Sequence, residues 1–444
     1  MGQGRGGQGF SLSPALAAIQ VQEFPLPLPQ RLREIQEGFE RPFWVANCSE
    51  LFERLSYYAA FAVLARYLNE SLGFSTQNTS RLTSLFGGFV WFMAVFGGAV
   101  ADRLGFRRAL SLAYLILSFA YFMMGSLGAA WMAPLRAAVP LQTLVIGVLV
   151  LPALGMALVK PCVAGTTAHA SKENVRSLGY SIYYTLVNIG GAAGPIVASF
   201  AHRHLGVENV FRVSALSVFV MFFAVLFFFR SPKMAAEKVP SIGETLRNFG
   251  VVVGNLRFLL FLLLFAGYYV VYWQEFITLP LYIAHHVDKA ADTDMMLSAG
   301  ALTVISLQLI VTWLSRRIKP LTGIALGTLI SGLAWLILAV WPSFTAAVAT
   351  LIVVALGEIT MSPRYYEYVS RLAPEGQQGT YLGFAFMPIG VGSIVAGLYS
   401  SFFYSDQSTH LPLFWAGLSL FGALNAACFW LYGRFLAPKT VNAE

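Results

Sequence analysis

The chain has 444 residues; 57% are AVILMFWYC and 11% are charged, less than half of the roughly 25% usual in soluble domains. With 36 Phe, 19 Tyr and 9 Trp, this composition excludes a water-soluble protein and points to a chain packed in lipid. A formal net charge of +8 does not imply nucleic acid, because the basic residues fall in short loops between apolar runs, and the separated Cys48, Cys162 and Cys428 form no disulfide or metal pattern.

Residues 1–43 lack the basic start, apolar core and small-residue site of a cleavable signal and are expected to form a cytoplasmic N-terminal extension. A helix crosses the hydrocarbon with about 20 apolar residues. Such spans are expected at 44–68, 80–101, 107–128, 139–166, 177–203 and 211–230, an N-terminal six-helix bundle over 44–230. A polar linker follows at 231–255, in which IGETLRNF suits either a helix on the membrane surface or plain linker. Spans at 256–284, 292–313, 319–341, 343–371, 377–403 and 411–435 form the C-terminal bundle over 256–435, and 436–444 is a cytoplasmic tail. The fold class is an all-α polytopic membrane protein with twelve transmembrane helices in two six-helix bundles.

Basic residues set the orientation. Arg103, Arg107 and Arg108, then Lys172 and Arg176, then Lys233, Lys238 and Arg247, then Arg316, Arg317 and Lys319 fall in alternate loops, whereas the loop after span 7 carries Asp288, Asp292 and Asp294. Both termini are therefore expected in the cytoplasm, with the chain in the cytoplasmic (inner) membrane.

Span 1 places Glu50, Glu53, Arg54, Tyr57 and Tyr58 within nine residues, at steps of three and four that share a face. Each ionised group at mid-membrane costs roughly 2.5–3.5 kcal/mol, so that face is expected to avoid lipid and to neutralise itself. Two acids beside one base can hold and release a proton; the cluster equally suits a structural ion pair. In the loop between spans 2 and 3, Asp102, Arg103, Arg107 and Arg108 are candidates for a cytoplasmic gate or for positive-inside anchoring. Span 4 contains Lys160 alone in an apolar run before Pro161; its ammonium is expected to pair with Glu50 or Glu53, or else to snorkel to the interface. Span 5 carries Tyr184 and Asn188 four apart, with Gly190 and Gly191 suited to close helix packing. The Asn188 amide suits either a peptide bond or an interhelical hydrogen bond.

In span 7, Tyr272 and Glu275 share a face, Trp273 is a pocket wall or a packed aromatic, and Glu275 is a secondary candidate for a proton site. In span 10, Glu358 follows an uncharged run and can receive a substrate ammonium opposite Lys160 or Arg54, while Arg364 and Glu367 are expected to form a local pair. Pro363 and Gly390, Val391 and Gly392 mark candidate bends or close contacts.

These residues resemble the proton-dependent oligopeptide transporter (POT) family of the major facilitator superfamily over residues 44–435. The family signature E-x-x-E-R-F-x-Y-Y is similar to Glu50, Glu53, Arg54, Leu55, Tyr57 and Tyr58; its K-P to Lys160 and Pro161; its F-Y-x-x-I-N-x-G to Tyr183, Tyr184, Val187, Asn188 and Gly190; and its span 10 acid before S-P to Glu358, Ser362 and Pro363. The resemblance implies proton coupling by Glu50, Glu53, Arg54 and Lys160, with Tyr57, Tyr58, Tyr184, Asn188 and Glu358 binding a di- or tripeptide; from the span 7 reading, Trp273 and Gln274 are further candidate binding residues. It is a divergent resemblance: Phe61 stands where the family has an arginine and Trp273 where it has an acid, so the family's extracellular charge pair is lost, with Glu275 and Arg66 as candidate replacements.

The function implied is proton-coupled import of di- or tripeptides or related zwitterions by alternating access. The alternative is transport of another small anion or zwitterion, or proton-driven export of a hydrophobic compound. An enzyme is not expected, since no nucleophile with its base, metal cluster or phosphate loop accompanies the spans. The expected partners are a short peptide or other small molecule and membrane lipid, not nucleic acid, with a monomer as the working unit and the proton as coupling ion in place of any cofactor.

Overall fold

A computed structural model describes residues 37–231, 254–315, 317–372, 383–405 and 410–437, with isolated positions 243, 250 and 381. The expectations for residues 1–36, IGETLRNF, Lys233, Lys238, Arg247, Arg316, the start of span 11 and 438–444 lie outside the described residues.

The described chain is helical almost throughout. Six helices precede the linker: α1 (Arg41–Arg66), α2 (Thr76–Leu104), α3 (Phe106–Met124), α4 (Leu141–His169), α5 (Arg176–Leu205) and α6 (Val207–Phe228). After it come α7 (Leu256–Tyr272), α8 (Ser298–Ser315), α9 (Pro320–Ala334), α10 (Phe344–Leu372), α11 (Met387–Phe403) and α12 (Leu411–Phe435). Nine helical stretches among the described residues are long and apolar enough to cross a membrane, and the chain is a multi-pass membrane protein. α1 begins at Arg41, three residues earlier than the expected span. Phe39 and Phe43 stack at 4.2 Å between ring centroids, and the backbone around Gly38 and Glu40 hydrogen-bonds Ala170 and Lys172 beyond the end of α4.

Local chemistry fixes the helix ends. The Ser75 side chain accepts from the Asn78 amide and caps α2. Single glycines join α2 to α3 and α5 to α6: Gly105 at φ 77° and Gly206 at φ 93° hold a backbone conformation that L side chains rarely adopt. Prolines 152 and 161 lie within a continuous α4, and Pro363 within a continuous α10, so none of these breaks its span. Span 7 is instead interrupted. After α7 it continues as two short helical turns, Gln274–Ile277 and Leu279–Tyr282, that depart from regular helix at Trp273 and Thr278.

Within the first half, α1 packs on α5 and α6, α2 on α4, and α3 on α4 and α6; within the second, α9 packs on α10 and α12, α7 on α11 and α12, and α8 on α10. The halves meet chiefly where α2 lies on α11 and α5 on α8. In the first seam Ser393 Oγ donates to the Ser84 carbonyl (2.9 Å), and Trp91 stacks on Phe386.

The α1–α5 contact closely constrains the site. A Cβ on Gly190 would stand 2.7 Å from the Leu51 carbonyl oxygen, and one on Gly194 would stand 2.8 Å from both the Leu55 carbonyl oxygen and Tyr58 Cβ. Backbone-to-backbone approach of this kind is available only to small residues. Replacing Gly194 with alanine should force the helices apart at a cost of roughly 1–3 kcal/mol, as overpacking does. The expected result is a lower unfolding temperature in detergent for Gly194→Ala; an unchanged transition would show that the helices are not held this closely.

Candidate functional site

α1 carries the ion cluster into the protein interior. Glu50, Glu53 and Arg54 are all buried to 2% exposure or less. Arg54 grips Glu53 with two bonds, Nε to Oε2 at 2.6 Å and Nη2 to Oε1 at 2.9 Å, the forked geometry that suits guanidinium and carboxylate. Glu50 is held more loosely, 3.7 Å from Arg54 Nε, and neither of its oxygens accepts a hydrogen bond from a described residue. Tyr57 covers the guanidinium, its ring centroid 5.1 Å from Arg54 Cζ.

Lys160 does not pair with Glu50 or Glu53. Its ammonium lies 3.8 Å from the centroid of Trp91 and 5.5 Å from that of Phe386, in the seam between the halves, where aromatic faces stabilise a desolvated cation. Arg364 likewise leaves Glu367: it donates to the carbonyls of Thr360 and Ser315, while Glu367 pairs with Arg371 at 2.8 Å. Neither shift was available from spacing alone, since both depend on which neighbouring helix presents a ring or a carbonyl.

A central cavity of about 70 Å³, room for several water molecules, lies at the junction of the halves. Tyr58 and Asn188 line it from one half and Glu275 and Glu358 from the other, with Tyr272, Phe276 and Gly300 completing much of the wall. Asn188 also donates to the Tyr184 carbonyl within its own helix, at 2.8 Å. Tyr272 and Phe276 were not picked out from the sequence as binding residues, although the three-residue step from Tyr272 to Glu275 already placed those two on one face. Gly300 carried no signal.

Four expected binding residues stand elsewhere. Tyr57 is buried against Arg54, Phe61 and Phe86. Tyr184 is nearly half exposed and is not among the cavity residues. Trp273 is buried and donates its indole N–H to the Ile389 carbonyl at 2.9 Å. Gln274 is also buried: its amide nitrogen donates to the carbonyls of Val270 and Ala396, and its oxygen accepts from Thr278 and Ser400. Both residues therefore fasten the interrupted span 7 to α11.

The two departures from the family pattern meet in space. Phe61 stacks on Phe276 at 4.8 Å with ring planes 6° apart, and meets Trp273 edge-on at 5.3 Å. Phe86 closes the group from α2. Aromatic contact thus fills the place of the missing charge pair. Arg66 does not join Glu275; it binds Glu70 at 2.9 Å and reaches Thr293 Oγ1 at 3.3 Å.

Beyond this aromatic group, the end of the bundle where α1 stops and α2 begins is latched across the halves. Arg203 Nη2 and Ser199 Oγ each donate to Asp292 Oδ2 at 2.5 Å, and His202 Nδ1 lies 2.6 Å from Asp294 Oδ2. Asp292 additionally accepts from the Met295 amide. The expected gate at the opposite end takes another form. Arg107 hydrogen-bonds the Leu226 carbonyl and Ser231 Oγ within the first half; Arg103 and Arg108 are exposed, and the Asp102 side chain lies outside the described residues. Arg107 therefore ties α3 to the end of α6, not one half to the other.

Residues 47–397 match the family model of the Major Facilitator Superfamily. A Na(+), Li(+), K(+)/H(+) antiporter of Planococcus maritimus is 21% identical, covering 81% of this chain and 89% of that protein. A di-/tripeptide transporter of Lactococcus lactis subsp. lactis is 25% identical over a shorter stretch, 40% of this chain and 35% of that protein. The fold is similar to the crystal structure of a POT family transporter in complex with a thioalcohol-conjugated peptide, with a TM-score of 0.75 at 14% identity over 90% of this chain and 97% of that one.

Removing the latch should loosen this end. In a background without the native cysteines, spin labels at Ser71→Cys and Ala290→Cys should report a longer and broader distance distribution once Asp292→Asn and Asp294→Asn are combined. An unchanged distribution would show that these two carboxylates do not hold the end shut.

Proposed function

The chain belongs to the Major Facilitator Superfamily, and on that premise we propose that it is a proton-coupled secondary transporter that imports di- or tripeptides or closely related zwitterions. The observation that carries the proposal is a cavity between the halves that Tyr58 and Asn188 line from the first half and Glu275 and Glu358 from the second, with the buried Glu50, Glu53 and Arg54 cluster on the same helix as Tyr58.

In this reading Glu358 receives the substrate's ammonium, Tyr58 and Asn188 contact its polar backbone, and Glu50 takes the coupling proton. Glu50 suits that role because it is the acid that Arg54 does not already neutralise through hydrogen bonds. The resemblance in α1, α4, α5 and α10 to the peptide family supports the substrate class. In this reading the basic loops lie on the cytoplasmic side, the latched end faces outward and is closed there, and both termini are cytoplasmic. Binding and release on alternate sides would follow from opening one end while the other closes.

A second reading, transport of another small ion or zwitterion, draws on two observations. The family's charge pair is replaced here by Phe61, Trp273 and Phe276, and the antiporter from Planococcus maritimus matches more of the chain than the peptide transporter does.

Purified protein in liposomes separates the two. An imposed inward proton gradient should drive accumulation of a labelled dipeptide that collapses with a protonophore and is competed by unlabelled peptides. Glu53→Gln and Lys160→Ala should each cut this uptake at least about tenfold, equivalent to about 1.4 kcal/mol. Absence of peptide uptake and of competition would refute the substrate assignment. For the proton route, Glu50→Gln should abolish gradient-driven accumulation while retaining peptide exchange at equal pH; gradient-driven uptake at the native level would remove Glu50 from that route.

A further inference from the structure

We infer that Glu275 contacts the substrate and, with Glu358, makes the cavity selective for a substrate with an organic cationic group in addition to its α-ammonium, such as a peptide with a lysine or arginine side chain. The inference rests on the reading of this cavity as the transport site.

Glu275 stands where span 7 leaves regular helical geometry, between the irregular positions Trp273 and Thr278, and only 6% of it is exposed. Trp273 and Gln274 are fixed to α11 by their hydrogen bonds, and the next residue is left to line the cavity. Tyr272 lines the same cavity beside Glu275. Gly300 lies beside the carboxylate in the cavity wall, where even a Cβ would stand at an ordinary contact distance of 3.9 Å from Glu275 Oε2.

The charge balance makes the case. Two carboxylates line the cavity and no lysine, arginine or histidine does. Among the described residues Glu358 makes no ion pair or side-chain hydrogen bond; the two basic residues nearest in function are committed elsewhere, Arg54 to Glu53 and Lys160 to the face of Trp91. An acid removed from water needs a counter-charge or a proton. One α-ammonium can satisfy Glu358; the second acid, displaced two positions from the site of the family's lost one, calls for a second positive group.

The remaining lining sets the chemistry of that group. Alkali and alkaline-earth ions need several oxygen ligands. Here much of the wall is the aromatic surface of Tyr58, Tyr272 and Phe276 and the aliphatic surface of Leu297, Val304 and Val354. Such a wall suits an ammonium or guanidinium carried on a carbon chain, which gains from ring faces and apolar contact together.

Binding to purified protein at neutral pH, followed by calorimetry, tests this without requiring transport. Ala-Lys should bind at least tenfold more tightly than Ala-Ala, and Ala-Glu more weakly than either. Glu275→Gln should bring Ala-Lys and Ala-Ala to within about twofold of each other, Glu275→Asp should preserve a Lys preference, and Glu358→Gln should weaken both dipeptides. Retention of the full preference in Glu275→Gln, or equal binding of Ala-Lys and Ala-Ala by the native protein, would overturn the inference. Agmatine and putrescine form a separate arm. If no dipeptide binds but these amines do, and Glu275→Gln weakens them tenfold, the peptide reading fails and the cation assignment stands. Sodium binding that depends on Glu275, with no response to the amines, would overturn the cation assignment in favour of an inorganic ion.

Discussion

Charge inside a membrane protein must be neutralised where it lies, and the arrangement of this transporter turns on how that is done for Arg54. Its fork on Glu53 is possible because α5 comes close enough to exclude lipid from that face of α1, and α5 comes close because Gly190 and Gly194 present no side chain. Glu50 remains at the edge of that grip, near enough to feel the guanidinium but without a donor of its own. The first half thus contains one satisfied acid and one poised acid on the same turn of helix. The same rule operates at Lys160 with a different solution, an aromatic face in place of a carboxylate.

Much of the architecture could be read from spacing. Most expected spans coincide with a described helix; span 7 is interrupted, and the start of span 11 lies outside the described residues. The helices least apolar by composition are informative: α1 and α2 are absent from the set that reads as membrane-crossing on hydropathy alone. In α1 the reason is Glu50, Glu53 and Arg54 themselves. Irregularity was less legible. Pro363 suggested a bend and lies within a continuous helix, whereas span 7 is interrupted at Trp273, whose indole bonds to the Ile389 carbonyl of α11, and at Thr278, where Pro280 in the next turn supplies a local cause.

At the site, residue type located the charged groups, and tertiary contact decided which way they turned. The α1 steps of three and four placed Glu50, Glu53, Arg54 and Tyr57 together, and they are together. Tyr57, Trp273 and Gln274 look polar or amphipathic enough to bind a ligand, yet each is consumed by packing or by buried hydrogen bonds. The replacement of an ion pair by Phe61, Trp273 and Phe276 has a mechanical meaning as well. A charge pair can be released by protonation, but stacked rings can be parted only by moving their backbones, so this contact responds to helix displacement and is indifferent to pH.

The single-residue turns at Gly105 and Gly206 extend that point. With one glycine between helices, α2 and α3, like α5 and α6, can move little except as paired levers. One arm of each lever lies in a seam between the halves, and the other lies at the back of the first bundle, where α6 presents Leu216, Val220, Phe223 and Phe227 at its surface. Any parting of the seams therefore swings lipid-facing helices through the surrounding bilayer. The work of switching states is then shared between protein contacts and the deformation of the membrane, and acyl-chain length becomes a determinant of transport rate.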